Sequence, residues 1–273
     1  MKTGGTGKTG TIDKTDGAWV KKQYATEKNL MKRMRIHAFS VNPVGWSDWL
    51  YGIYSIRPGM RILEIGCGNG LFWKNRARRL PDGVSLCLSD VSAGMLRKAK
   101  QNLSREGRKI SFRKIDAERI PFPERAFDIV IANHMLYHVR DLPHALGEFR
   151  RVLKQGGFLY ASTVGKAHLK ELTGWRERFE LKTELSGSAI AKNFGLGNGK
   201  KFLTRHFKSV TVKRHPDRLE IPSVRPVVDY LSSTGRLPDD TGLARFKIFL
   251  RDRLKKYGSI RISKNVGLFI ARA

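Results

Sequence analysis

The chain has 273 residues, 40% of them hydrophobic, enough to bury the core of one large domain or of one domain with an elaborated cap. No run approaches a membrane span, Met1-Lys2 leads into Thr and Gly rather than an apolar signal core, and the two cysteines, Cys67 and Cys87, lack metal-ligand spacing; a cytoplasmic protein with reduced thiols, no metal and no membrane span is expected. The formal net charge of +29 would draw polyanions, yet it is spread along the chain with no basic tail, RGG tract or zinc module, so nucleic acid is not the favoured partner.

Residues 1–16, rich in Gly, Thr, Lys and Asp, read as a disordered tail. Its Gly4-Gly5-Thr6-Gly7-Lys8-Thr9 stretch imitates a phosphate loop, but Lys2 stands where the first glycine belongs and no strand precedes it. Residues 17–60 read as an N-terminal helical cap. A helix is predicted over 18–40, broken by Asn42-Pro43, and an aromatic helix follows from Trp46. Two readings stand for this cap: a lid over a cavity, with Tyr24, His37 and Trp46 lining its entrance, or plain packing of aromatics on the main domain.

Arg57-Pro58-Gly59 turns the chain into a predicted first strand, 61–65, which runs into Glu64-Ile65-Gly66-Cys67-Gly68-Asn69-Gly70 and a helix predicted over 71–80. Glycines there allow sharp turns and bring backbone N–H groups against a ligand. A dinucleotide fold wants G-x-G-x-x-G, but Leu71 occupies the last position and the third glycine comes one residue early. The second strand, 84–88, ends in Ser89-Asp90. A carboxylate at that strand tip can accept both hydroxyls of a ribose, as in dinucleotide enzymes, or can serve the helix predicted over 92–105 as its cap. The third strand, 110–115, closes on Asp116-Ala117. Then Ile120-Pro121-Phe122-Pro123 leads through Ala126-Phe127-Asp128 into a fourth strand ending at Asn133, at the carboxyl edge where ligands of open α/β sheets bind. An amphipathic helix over 141–153 and a Lys154-Gln155-Gly156-Gly157 turn precede the fifth strand, 158–163.

The E-x-G-x-G-x-G loop, Asp90, Asp116, the Ile120–Asn133 segment and the Leu153–Gly157 turn, in this order and spacing, resemble the class I S-adenosylmethionine-dependent methyltransferases, in particular the ubiquinone/menaquinone-biosynthesis type. The resemblance covers residues 61–163, the expected cofactor-binding core. It implies an α/β fold: a seven-stranded, Rossmann-like doubly wound sheet of order 3-2-1-4-5-7-6 with the last strand antiparallel and helical cap elements. Residues 164–273 then supply strands six (predicted 207–214) and seven (262–271) with a helical substrate-side insertion between them.

The resemblance also implies S-adenosyl-L-methionine as cofactor and assigns positions to it. Glu64, and the main-chain carbonyl of Asn133, would serve the methionine ammonium. Gly66, Cys67, Gly68 and Gly70 would form the backbone cradle, Asp90 with Val91 and Met95 would hold the ribose, and Asp116 with Ala117 the adenine. His134, next to Asn133, is both a cofactor neighbour and a candidate base, and His138 is a second candidate base. The spacing of these two imidazoles would suit a zinc helix, but Met135 stands where a metalloprotease carries glutamate and no third ligand is evident. The stretch after the fourth strand, Asn133-His134-Met135-Leu136, lacks the prolines of base-amino methylases. A small-molecule acceptor, with an anionic one suited to the basic surface, is the first reading. An RNA methyltransferase and a non-catalytic cofactor-binding protein are the alternatives.

Overall fold

A computed structural model describes residues 27–181, 187–233 and 240–273, so Tyr24 and the glycine-threonine tail lie outside the described residues. One sheet contains β1 (Arg61–Ile65), β2 (Ser85–Asp90), β3 (Ile110–Lys114), β4 (Phe127–Asn133), β5 (Leu153–Val164), β6 (Ser209–Ile221) and β7 (Ile260–Arg272), in the order β3-β2-β1-β4-β5-β7-β6. The first five strands pair in parallel, and β7 runs antiparallel to both β5 and β6. This is the expected sheet. Around it lie α1 (Glu27–Arg35), α2 (Trp46–Ile53), α3 (Ala93–Asn102), α4 (Leu142–Val152), α5 (Lys170–Arg178), α6 (Gly187–Asn193), α7 (Gly199–Leu203), α8 (Arg225–Ser233) and α9 (Asp240–Tyr257).

The central strands are near-continuous apolar runs because both faces of the sheet are covered. Alternation sends Leu63, Ile65, Val130 and Ala132 toward Leu146, Phe149 and Val152 of α4, while Ile62, Ile129 and Ile131 meet Leu50 of α2, Tyr54 and Trp73. Burying each such side chain contributes about 1.5–3 kcal/mol. A third apolar cluster joins Ile36 to Leu219, Ile221, Val227, Phe246 and Ile260, so the C-terminal insertion is tied to the N-terminal cap rather than to the sheet centre. Helix starts follow the sequence: Ser92 accepts from Met95 N–H at the head of α3, and Asp141 from His144 N–H at the head of α4.

Two elements depart from the sequence reading. Residues 71–80 are not an α-helix but successive turns ending in a 3-10 segment, Ala77–Arg79. Asn75 sits in the left-handed region (φ 64°), and its N–H goes 2.8 Å to the Glu106 carboxylate instead of to an intrahelical carbonyl. The tight turns keep Trp73 fully buried against the sheet. The β6–β7 hairpin, in turn, runs well past residue 214. Pro216 suggests a stop, yet β6 is the sheet edge, where a proline costs no ladder hydrogen bond. The strap after α1 covers that edge: Val41 N–H donates to Arg218 O (3.1 Å) and the Asn42 side chain to Pro216 O (2.8 Å).

Candidate active site

The carboxyl ends of β1, β2 and β4 open onto a cavity of about 980 Å³, at the upper end of the roughly 300–1,000 Å³ usual for small-ligand sites. Glu64, Gly66, Cys67, Gly68, Asp90, Val91, Met95, Asp116, Ala117, Asn133, His134 and His138 all line it, as do His37 and Trp46 from the cap. Gly70 does not. Its φ of 72° is left-handed, and a Cβ there would lie 3.0 Å from Ala99 Cβ, so this glycine serves the close approach of α3 to the loop and not ligand contact.

The loop after β1 is held from behind. Asp90 accepts from Gly68 N–H (2.9 Å) and from Ser92 N–H (2.8 Å), so one carboxylate fixes both the glycine loop and the turn into α3. Burial nonetheless pushes the Asp90 carboxyl above its ordinary value, against those two hydrogen bonds. Gly66, at φ 76°, packs so tightly that a Cβ would come within 2.9 Å of Met135 Cβ. Burial likewise pushes the Cys67 thiol up, leaving it neutral.

Glu64 is only 2% exposed and forms the centre of a network. It accepts Trp73 Nε1–H at 2.6 Å and Asn133 Nδ2–H at 3.0 Å. The Asn133 Oδ1 in turn accepts from Tyr54 Oη and Ser162 Oγ, both at 3.0 Å. Burial raises the Glu64 carboxyl to about 7, partly offset by the Trp73 and Asn133 hydrogen bonds. A carboxylate so placed is poised to ionise when a cation arrives beside it. With Asp90, Asp116 and Glu118 it gives one end of the cavity four acidic side chains, in a protein of net charge +29.

The other end is different in kind. His134 lies directly after β4 at φ 51°, its N–H shared between the carbonyl and Oγ of Ser162, both 3.1 Å away. That left-handed turn, followed by a 3-10 segment at Leu136–His138, keeps His134 and His138 off a common helix face, so the zinc-helix spacing does not apply. The Trp46 ring lies 5.4 Å from the His134 ring, and His37 stacks on His168 at 6.2 Å. Burial, reinforced by the nearby Lys264 charge, lowers His134 to about 4 and His37 to about 3. His168 is held well below the ordinary value, by burial first and by its His37 neighbour second. All three rings are neutral at pH 7.

Residues 63–161 match the family model described as "Methyltransferase domain", and its span covers the glycine loop, Asp90, Asp116 and Asn133. These residues carry a methyltransferase domain, and the chain resembles the class I S-adenosylmethionine-dependent methyltransferases. Among curated relatives, the ubiquinone/menaquinone biosynthesis C-methyltransferase UbiE of Bordetella avium is 35% identical over 114 residues, 42% of this chain and 44% of that protein. The chain thus spans less than half of that relative's length. UbiE of Pectobacterium carotovorum is 26% identical over 63% of this chain and 67% of its own. Among solved structures, a putative methyltransferase from Bacillus halodurans aligns with TM-score 0.58 at 15% identity, over 83% of this chain and 98% of that one. A Haemonchus contortus phosphoethanolamine N-methyltransferase 2, solved with phosphomonomethylethanolamine and S-adenosylhomocysteine, aligns with TM-score 0.56 at 17% identity, over 96% of this chain and 60% of that one. These likenesses concern the fold.

The donor set of this cavity suits S-adenosylmethionine. Acidic side chains match an ammonium, a sulfonium and ribose hydroxyls, while Val91, Met95, Ile115 and Ala117 offer an apolar slot for a purine. Sequence reasoning missed Tyr54, Trp73, His168, Asp217 and Lys264. The first two hold Glu64 and Asn133 in place, and a tryptophan N–H nine residues after the acidic residue was the available signal. Asp217 and Lys264 become visible only once the hairpin is run to its full length, where they are cross-strand partners.

Proposed function

We propose that the protein is a small-molecule methyltransferase whose cofactor lies against the acidic end of the cavity and whose acceptor enters from the cap side. The single observation that carries this reading is the polarity of one continuous cavity, with the acidic side chains Glu64, Asp90 and Asp116 at or just past the ends of β1, β2 and β3 and neutral imidazoles contributed from the cap side. When bound, S-adenosylmethionine supplies a methyl group already activated by its sulfonium, so the protein's task is alignment and exclusion of water.

Each residue's share follows from its position. Glu64, ionised by the approach of the ammonium, and the Asn133 carbonyl would hold the amino-acid end. Asp90, already rigid through Gly68 and Ser92, would accept the ribose hydroxyls, and Asp116 with the Ala117 N–H would meet the adenine. His134, neutral and next to Trp46, would accept a proton from the acceptor as it reacts. Domain boundaries follow the same logic: residues 61–163 bind cofactor, while 17–60 and 164–273 shape the acceptor side.

Calorimetric titration of S-adenosylhomocysteine into the full chain and into Asp90→Ala tests this. Binding in the micromolar range, lost in the variant, is the expected result; no heat with folded wild-type protein would remove the reading.

A further inference from the structure

Beyond the imidazoles, the cap end of the cavity holds a lysine in an unusual setting. Lys264 lies on β7, its side chain only 4% exposed, and it lines the cavity. Its ammonium bonds to Asp217, its cross-strand partner on β6. Asp217 has no acceptor capacity left for a ligand. It also takes Ser40 Oγ–H (2.6 Å), Arg218 N–H (2.8 Å) and Asn42 N–H (3.3 Å). Burial works against this carboxylate, but the hydrogen bonds of Lys264 and Ser40 outweigh it and hold the group below its usual range.

What remains facing the cavity has hydrogen-bonding capacity to spare, donors included. Among the described residues, the three N–H bonds of Lys264 meet the oxygen of a single side chain, that of Asp217. Asn265 N–H donates to His168 Nδ1 (3.2 Å), which places the His168 proton on Nε2. His37 Nδ1 is buried with no hydrogen-bond partner among the described residues, so its ring has spare capacity as well. The Lys264 charge depresses both His37 and His134, so Asp217 does not cancel its field at those rings. Trp46, Val164, Ile190 and Val266 form an apolar wall beside these groups. A cation would be repelled here, and a neutral apolar molecule would leave the donors unmatched.

We infer that this end of the cavity is a subsite for a compound carrying an oxyanion, a carboxylate or an ionised hydroxyl, on an apolar body, with Lys264 Nζ as its charge partner and His168 and His37 as flanking donors. Calling that compound the methyl acceptor rests on the reading above; the anion site does not.

The test is calorimetry on the full chain at pH 8 with benzoate, 4-nitrophenolate, neutral benzamide and, separately, S-adenosylhomocysteine. Benzoate or 4-nitrophenolate should bind at least about tenfold tighter than benzamide, about 1.4 kcal/mol, and whichever anion does so identifies the kind of acid. Lys264→Met should remove that advantage while S-adenosylhomocysteine affinity stays within about threefold, well under 1 kcal/mol. Because Lys264→Met strands the Asp217 charge, the Lys264→Met/Asp217→Asn double variant, which buries no lone ion, is measured beside it. Equal binding of benzamide and both anions by wild type, or wild-type benzoate affinity in a double variant that still binds S-adenosylhomocysteine, overturns the proposal. Anion selectivity without S-adenosylhomocysteine binding would overturn the cofactor reading and leave the anion site standing.

Discussion

The two ends of the cavity are built in opposite ways. The acidic end comes from three consecutive strand–loop units, with Glu64, Asp90 and Asp116 each at or just past the end of its own strand. The cap end draws His37, Trp46, His134, His168 and Lys264 from five separate parts of the chain. Their electrostatics are opposed as well. Burial keeps Glu64 protonated up to about pH 7, and burial keeps the imidazoles unprotonated far below it. Just below neutral pH, Glu64 and the rings therefore carry little charge of their own, and a ligand that brings a charge decides which group ionises. A cation suits the first end and an anion the second.

The largest effect that would break this comparison belongs to Asp90. Asp90→Ala removes the proposed acceptor for the ribose and also frees the Gly68 and Ser92 N–H groups, so S-adenosylhomocysteine affinity should fall on the order of 100-fold, close to 3 kcal/mol for hydrogen bonds to a charged group. Binding of benzoate should not follow. If both ligands are lost together in folded protein, the ends are not independent sites.

Next in size is the pH dependence of Glu64. Its carboxyl must ionise to meet an ammonium, so S-adenosylhomocysteine affinity should rise as pH climbs toward about 7, by up to about tenfold per unit, and level off above it. Glu64→Gln should flatten that profile. Calorimetry in buffers of different ionisation enthalpy would also register the proton released on binding to wild type below pH 7 and its absence in the variant.

Stability of the protein by itself sharpens the contrast further. A carboxyl whose folded pKa is raised gives stability at low pH that is lost as pH rises from about 4.5 through about 7. Imidazoles whose folded pKa is lowered do the reverse: their contribution is intact above 6.5 and is lost as pH falls, for His134 until about 4. Between pH 6.5 and 4.5 the several rings outweigh the one carboxyl, so thermal stability should fall on acidification. His134→Asn should make the fall shallower, by up to about 1.4 kcal/mol per pH unit, and Glu64→Gln should make it steeper. Thermal scans across that window read both slopes; equal slopes in all three proteins would mean the charges are not buried as described.

The contrast also explains what could be read from the sequence. The acidic end is local: Glu64, Asp90 and Asp116, like Asn133, each stand at or just past the end of a short strand and were legible, and the order of the sheet followed from the family resemblance that these motifs carry. The cap end depends on register. Pro216 reads as a strand stop unless β6 is already known to be an edge, and only the extended ladder sets Asp217 opposite Lys264. His168 follows β5 with no motif around it. The predicted helix at 71–80 failed for a related reason: its apolar residues are there, but the Trp73–Glu64 hydrogen bond and the Asn75–Glu106 contact reward a turn that no periodicity announces.

The smallest expected effect concerns the strap that joins the cap to the sheet. Ser40 Oγ–H is one of four donors to Asp217, and its residue also bridges to Leu219. Ser40→Ala should cost about 1 kcal/mol of stability, the usual value for one net hydrogen bond. It leaves the Lys264–Asp217 pair and the whole acidic end in place, so S-adenosylhomocysteine affinity should hold within about twofold, a few tenths of a kcal/mol. Benzoate affinity should fall slightly, because an Asp217 with one donor fewer leans harder on Lys264 and leaves that lysine less to offer an incoming anion. A large loss of S-adenosylhomocysteine affinity in this variant would show that the strap transmits strain across the cavity, and the two ends would then have to be treated as one site with two polarities.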